Sequence, residues 1–186
     1  VAQVQCLNML ITQLQVLDLW DRFRWREALD LAEQIQFQDT WPDLWGWWLR
    51  VESSLEWNPQ DSTAVAITGY ELVQDLLLNA ERRGKRGWYD DAVARLYRAT
   101  ELLAQTYIRL ELGLADSDPD WSQRELMLGT GEVVPNTGIS SLFRWLQNHE
   151  DARRQGNAEQ GLGSLYASHW RELRHLFKAR NHSLLG

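Results

Sequence analysis

The amino-acid sequence predicts an all-α protein, a helical bundle of about seven helices. Leu occurs 30 times whereas Val and Ile together occur 14 times; Leu favours helices, and the β-branched residues favour strands. Four prolines interrupt the 186 residues, and apolar residues recur at intervals of three and four along most of the chain. At roughly 150 residues per domain, this length suits one domain, with or without a small appendage.

The charge and the cysteine content exclude several classes of protein. The net charge of −7 and the pI near 5.1 argue against a protein whose whole surface binds nucleic acid, because such a surface would be basic throughout. A local basic patch is compatible with these values. No apolar run reaches the roughly 18 residues of a membrane span, and no signal peptide is visible. The single cysteine, Cys6, excludes an intramolecular disulfide and fits a cytoplasmic protein. Because the chain starts at Val1, we expect a fragment of a longer protein.

The first third of the chain predicts three amphipathic helices. One runs over 4–20, a second over 25–37, and a third begins near Pro42, because proline is favoured in the first turn of a helix. The apolar residues that share a face are Val4, Leu7, Ile11, Leu14 and Leu17, then Trp25, Ala28, Leu29 and Ala32, and last Leu44, Trp48, Val51 and Leu55. A polar, proline-containing segment follows, so we expect two subdomains, 1–57 and 62–186.

The rest of the chain predicts four more helices and one short strand. The helices run over 63–83, 88–112, 139–154 and 162–185, and a loop rich in Gly and Pro precedes the third of them. Within that loop, Glu132-Val133-Val134 has the composition of a strand. The inward residues of the first of these helices are Ile67, Tyr70, Val73, Leu77 and Ala80. The second has the strongest helical pattern of the chain, with one aligned face of Ala92, Leu96, Ala99, Leu103 and Leu110.

Eleven tryptophans are more than a chain of this size requires, and six of them lie between Trp20 and Trp48. Packing between helices is the favoured interpretation, with an aromatic platform for bases or sugars as the alternative. The segments 25–29 and 89–93 are also similar to the helix starts of tetratricopeptide repeats. Their separation of 64 residues is not a multiple of that repeat's 34.

The common enzyme signatures are absent: the sequence contains no Walker loop, no dinucleotide glycine pattern, no His-Glu-x-x-His and no Gly-x-Ser-x-Gly. His175 and His182 lie seven residues apart on one predicted helix, but two ligands are fewer than the three or four of a zinc site. We therefore expect no metal and no cofactor. The chain also lacks the alternating strand–helix pattern with which a Rossmann-like domain binds nucleotides.

The last predicted helix carries two distinct faces. At 100° per residue, one face is apolar, and the opposite face is basic. The apolar face holds Tyr166, Trp170, Leu173, Phe177 and Leu184, and the basic face holds Arg171, Arg174, His175, Lys178 and His182. Arg180 lies on the apolar face, with Asn181 beside it. An unpaired guanidinium cannot stay in hydrocarbon, so two interpretations are open for Arg180. It pairs with a carboxylate or with carbonyl groups at an interface, or it lines a cleft that binds a phosphate.

Residues 180–186, Arg-Asn-His-Ser-Leu-Leu-Gly, resemble the C-terminal Arg-Asn-x-Ser-x-Leu-(Ala/Gly)-His-Gly signature of a CRISPR-associated family common in cyanobacteria. The segments 79–84 and 88–101 are similar to the central helix of the same region. Proteins of that family join an N-terminal CARF sensor domain, which binds cyclic oligoadenylate, to a C-terminal helical region. The resemblance therefore implies a parent protein with such a sensor.

The same ending is similar to the Arg-x(4–6)-His motif of HEPN ribonucleases. Arg180 matches the motif Arg, Asn181 matches the polar residue that often follows it, and the motif His is expected directly after Gly186. The resemblance implies that the chain is the effector part of a type III CRISPR accessory protein in antiviral defence. It also implies that this effector cleaves RNA without metal, at the interface of a homodimer. The basic face would bind the RNA. The alternatives are a non-catalytic helical module that dimerises or docks a partner, and a tetratricopeptide-like array.

Overall fold

The computed structural model of the chain describes residues 2–55, 67–113, 126–127, 133–134, 139–153 and 161–175. These ranges are almost entirely helical, which confirms the all-α class. Helices α1 to α9 run over Ala2–Asp21, Trp25–Gln34, Phe37–Thr40, Pro42–Leu55, Glu71–Lys85, Tyr89–Glu111, Ile139–Arg153, Leu162–Ser168 and 170–175. Within these ranges, no helix is both long enough and apolar enough to cross a membrane.

The described ranges contain nine helical segments because turns divide two of the predicted helices. The predicted helix 25–37 ends at Gln34, and Gln36 then adopts a left-handed conformation with φ 52°, which no α-helix accommodates. The predicted helix 162–185 is interrupted by a turn at His169, and residues beyond 175 lie outside the described ranges. The predicted start of the third helix at Pro42 is confirmed.

The chain divides into two compact units, Val1–Asp75 and Leu76–Gly186, and the residue ranges show that α5 contributes to both. The polar segment after α4, where we expect the subdomain boundary, lies outside the described residues. The boundary between 1–57 and 62–186 therefore stays a prediction.

Stacked aromatic rings form the centre of the first unit. The ring centroids of Trp20 and Trp48 are 4.3 Å apart, those of Trp48 and Phe37 are 5.1 Å apart, and all three side chains are buried. The aliphatic residues buried around them are Val16, Ala28, Leu29, Ala32 and Val51. The packing interpretation is thus confirmed for Trp20 and Trp48.

The apolar face of α1 is exposed in the structure. The side chains of its five residues, identified above from their spacing, range from 39% exposed at Leu17 to 61% exposed at Val4. Only the C-terminal part of α1 packs inward, through Val16 and Trp20. The reason is length, because α2 has ten residues against twenty in α1 and turns back along the C-terminal half of α1. A regular apolar spacing does not show whether a neighbouring helix is long enough to cover it.

The second unit has its own core, which α6, α7 and α8 form together. Its buried residues are Ala104, Ile108, Ile139, Leu142, Phe143, Leu146 and Tyr166. The predicted short strand is confirmed at Val133–Val134, which pairs antiparallel with Leu126–Met127.

The predicted inward position of Leu77 on α5 is wrong, since this side chain is 45% exposed. Leu96, on the aligned face of α6, is 41% exposed. On α5 a row of polar residues is buried instead, at intervals of four: Glu71, Asp75, Asn79 and Arg83. The helix also begins later than the predicted residue 63. Residues 67–70 are not helical, and α5 starts at Glu71.

Candidate functional site

The segment that leads to the predicted site, residues 161–175, packs against α7 through a glycine. A Cβ atom built on Gly163 would lie 2.7 Å from Cα of Gln147, closer than real Cβ atoms come to a backbone. Since glycine has no side chain, the backbone of α8 contacts the backbone of α7 there. This contact fixes the position of α8 along α7.

A buried carboxylate caps the start of α8. Oε1 of Glu150 accepts a hydrogen bond from the backbone N–H of Gly163 at 3.0 Å, and Oε2 accepts one from the N–H of Ser164 at 3.3 Å. These N–H groups have no partner within the helix, and the positive end of the helix dipole favours an anion beside them. Glu150 thereby joins α7 to the segment that carries the basic residues.

Aromatic rings line the contact on the other side. The rings of Phe143 and Tyr166 stack at 3.9 Å with an interplanar angle of 8°, and Trp170 lies 5.6 Å from Tyr166 at 43°. Tyr166, Trp170 and Leu173 all pack on the core of the second unit, which confirms the apolar face of the last predicted helix as far as Leu173. Phe177 and Leu184 lie outside the described residues.

A cavity of about 160 Å³ opens beside these rings. It is lined by Phe143, Arg144, Gln147, Tyr166, Ala167 and Trp170. Arg144 and Ala167 are exposed, so the cavity is accessible from solvent, whereas Phe143 and Tyr166 are buried. We call it the α7–α8 pocket. Arg144 and Gln147 are not distinguished in the sequence, because their only signal is a spacing of three on a helix, next to an aromatic residue, and many exposed pairs share it.

Three residues of the predicted basic face fall within the described residues. Arg171, Arg174 and His175 lie on α9 directly after Trp170, and all three side chains are exposed. Lys178, Arg180, Asn181 and His182 lie outside the described residues. The roles of all seven residues in catalysis and RNA binding stay predictions.

The described arrangement combines exposed cations with an aromatic cavity. Arg171 and Arg174 offer guanidinium groups that suit phosphate oxygens, and the α7–α8 pocket offers ring faces beside polar groups. Among the residues that the structure describes, no group of three or more His, Cys, Asp or Glu side chains could hold a metal ion. The arrangement is thus suited to binding an anionic ligand that carries a planar ring.

Comparison with known proteins identifies one family. The sequence model of a family described as the Csm6 HEPN domain matches residues 63–186, two thirds of the chain. In the two other comparisons, no curated protein and no solved structure matches. The matched residues include the second unit and the C-terminal segment with the predicted site.

Proposed function

The chain belongs to the Csm6 HEPN-domain family, and we propose from this membership that it is the effector part of a type III CRISPR accessory protein that cleaves RNA in antiviral defence. HEPN domains of the Csm6 type act on RNA and dimerise in general. The family match carries the proposal. The exposed cations of α9, directly after the aromatic core, support it, because a largely acidic chain here presents a local basic surface.

The proposed reaction is a transesterification within the RNA. The 2′-hydroxyl oxygen bonds to the adjacent phosphorus while the bond from phosphorus to the next 5′ oxygen breaks, which leaves a 2′,3′-cyclic phosphate and a 5′-hydroxyl. One proton leaves the 2′-hydroxyl, and one is delivered to the 5′ oxygen. The motif His that we expect directly after Gly186 would exchange these protons near neutral pH, and Arg180 would stabilise the charge on the phosphorane.

The proposed site lies at a two-fold interface. Arg180 is on the apolar face of the predicted helix, and this position is favourable if that face meets a second copy of the chain. C2 dimers are the commonest soluble oligomers, and their symmetry would bring two Arg180 residues together around one phosphate. Asn181 would orient the Arg. Arg171, Arg174, His175, Lys178 and His182 would bind the flanking phosphates.

The substitution Arg180→Ala tests the proposed role in catalysis, in a protein that continues past Gly186 through the motif His. Single-turnover cleavage of RNA should fall about 10²-fold or more, the scale of losing a key electrostatic donor. The melting temperature should stay within a degree or two of the parent. A large fall in melting temperature, with residual activity in proportion to the folded fraction, would instead assign Arg180 a structural role.

Two substitutions serve as controls for that test. Arg171→Ala should weaken RNA binding modestly and lower its salt dependence, because a phosphate contact acts through counterion release. Arg98→Ala removes a cation of the same kind from an exposed ion pair with Glu101 on α6, so it should leave both cleavage and binding unchanged. Undiminished cleavage by a folded Arg180→Ala protein would contradict the nuclease at this site.

A non-catalytic helical module for dimerisation or protein interaction is the second candidate, and α1 favours it. Residues 2–17 carry no charge, and the exposed apolar face of α1 lies within them. Large exposed apolar surfaces commonly bind other proteins. The residue that follows Gly186 in the parent gene distinguishes the candidates: His favours the nuclease, and any other residue favours the module.

A further inference from the structure

The α7–α8 pocket has the size of a single planar ring. Its volume of about 160 Å³ is several times that of one water, roughly 30 Å³, yet below the roughly 300 Å³ at which pockets for drug-sized ligands begin. Three of its lining residues, Phe143, Tyr166 and Trp170, are aromatic. A flat heterocycle is the kind of ligand that such rings bind by stacking.

The polar lining of the pocket can read the edge of a ring. Gln147 offers an amide that both donates and accepts hydrogen bonds, and Arg144 offers several N–H donors. Ring faces beside a mixed set of donors and acceptors suit a nucleobase better than an aliphatic or purely apolar ligand.

Two exposed cations follow the pocket-lining Trp170 on α9. Trp170, which lines the pocket, is followed at once by Arg171, and Arg174 lies one helical turn further on. Both guanidinium groups are exposed. A ligand whose ring occupies the pocket and whose anionic groups reach α9 has the chemistry of a nucleotide within a strand.

We infer that the α7–α8 pocket binds one unpaired base of the RNA, with Arg144 and Gln147 as specificity-determining residues for that base. This inference rests on the proposed function and adds a binding subsite to it. The phosphates on either side of the bound base contact Arg171 and Arg174. The subsite would let an acidic chain hold RNA, because stacking supplies affinity that does not depend on charge.

The test fills the pocket rather than deleting its walls. Phe143 and Tyr166 belong to the core, so their removal would disturb folding. Ala167 is exposed and lines the pocket; Ala167→Phe therefore occupies the pocket from its rim. The probes are two decamers of equal charge, one of ordinary single-stranded RNA and one whose nucleotides lack bases, and binding to the 186-residue chain is measured by fluorescence anisotropy.

The expected result separates ring binding from phosphate binding. The wild-type chain should bind the base-bearing decamer about tenfold more tightly than the abasic one, the scale of one stacked base. Ala167→Phe should remove this preference and leave the affinity for the abasic decamer unchanged. Arg144→Leu should reduce the preference and change the ranking among decamers of A, G, C and U. Arg171→Leu should weaken binding of both probes equally.

The outcomes distinguish this inference from the proposed function. If the wild type prefers the base-bearing decamer and a folded Ala167→Phe keeps that preference, the subsite is overturned while the nuclease stands. A wild-type chain with equal affinity for both probes also overturns the subsite alone. If the wild type binds neither decamer, both the subsite and RNA as the substrate are overturned. Circular dichroism melting of each variant confirms that the comparison is between folded proteins.

Discussion

Gly163 lies where the backbone of α7 leaves no room for a side chain. Because an added Cβ would overlap the backbone of α7 at Gln147, Gly163→Ala must push the two helices apart. Overpacking of this kind costs about 1–3 kcal/mol. We expect the free energy of unfolding, measured in urea, to fall by that amount.

Gly46→Ala is the matched control for this prediction. Gly46 lies inside α4, is exposed, and has nothing within 4 Å of an added Cβ. There, alanine should raise the free energy of unfolding by about 0.5–1 kcal/mol, because it is the better helix former. Equal effects of the two substitutions would contradict the close contact at Gly163.

Glu71 links the stability of the first unit to pH. Its side chain is 1% exposed and accepts hydrogen bonds from the N–H of Thr68 at 2.7 Å, the N–H of Gly69 at 2.8 Å and Nη2 of Arg50 at 3.0 Å. Burial alone would raise the pKa of this carboxyl, but the hydrogen bonds from Thr68 and Arg50 outweigh it and hold the pKa below the ordinary value of 4.5. The unfolded chain therefore takes up the proton first as the pH falls.

Because the pKa of Glu71 is lower in the folded chain than in the unfolded chain, we expect Glu71 to stabilise the fold fully above about pH 4.5. This contribution is lost as the pH falls through the lowered pKa. Glu71→Gln should lower the free energy of unfolding at pH 7 by about 1–3 kcal/mol, because buried donors lose a charged acceptor. It should also flatten the loss of stability in acid. Thermal melts between about pH 7 and pH 3 measure both effects.

Glu81→Gln is the control, because Glu81 forms an exposed ion pair with Lys85 one turn along α5. Its pKa is also lowered, chiefly by the hydrogen bond from Lys85, but water screens the pair. The acid profile of this variant should follow the wild type. A profile for Glu71→Gln as steep as that of Glu81→Gln would contradict the assigned role of Glu71.

At the scale of the element, the buried polar row of α5 decides how that helix packs. Two of its members have partners in the first unit: Glu71 pairs with Arg50, and Asp75 accepts a hydrogen bond from Trp20. The other two have partners in the second unit: Asn79 accepts a hydrogen bond from Arg95, and Arg83 pairs with Asp91. A one-residue rotation of α5 would bury these groups without those partners. The row therefore specifies which face of the helix turns inward.

The contact between Asp75 and Trp20 gives a direct test of the row. Oδ1 of Asp75 accepts a hydrogen bond from Nε1 of Trp20 at 3.0 Å, and both side chains are buried. Asp75→Ala should destabilise the fold by about 1–3 kcal/mol, because the indole N–H loses its acceptor. In the Trp20→Phe background, which has no such N–H, the same change should cost about 0.5–1 kcal/mol less. Chemical unfolding of the four proteins of this cycle measures the coupling.

The helices could be predicted from the sequence where local signals are strong. Pro42 marks the start of α4, and the long apolar repeat predicts 88–112, close to the observed Tyr89–Glu111. The burial of α5 could not be predicted, because Glu71 and Asp75 at a spacing of four look like a solvated face. Their burial depends on Arg50 and Trp20, which are distant in the chain.

The candidate site could be predicted only in part. The helical spacing of Tyr166 and Trp170 predicts that they share an apolar face, and the structure places both on the core of the second unit. Arg144 was not identified, because its proximity to Trp170 arises only when α7 and the C-terminal segment pack together. The periodicity of each helix does not show which residues of the other helix it contacts.

At the scale of the whole molecule, we predict that this chain does not bind cyclic oligoadenylate, the ligand that the resemblance assigns to the sensor domain of a parent protein. Nucleotide-binding domains of the doubly wound type hold their ligand at the ends of parallel strands. In the ranges that the structure describes, the only strands are the antiparallel pair Leu126–Met127 and Val133–Val134. Calorimetric titration of the chain with cyclic tetra-adenylate or cyclic hexa-adenylate should give no binding heat.

A parent protein with the sensor domain is the positive control for that titration. Tight binding of either ring by the isolated chain would contradict the division of labour between a sensor and this helical effector. Binding by the parent and not by this chain would support this division of labour.

The exposed face of α1 has a consequence for how stability varies with temperature. Seven large apolar side chains of α1 are 39% to 61% exposed in the folded chain: Val4, Leu7, Met9, Leu10, Ile11, Leu14 and Leu17. Unfolding newly exposes only the remainder of their surface, so they add less to the heat-capacity increment than fully buried side chains would. The stability curve of the free chain is accordingly flatter than its length implies. Any partner that covers α1 raises the increment and makes the curve of the complex more sharply peaked.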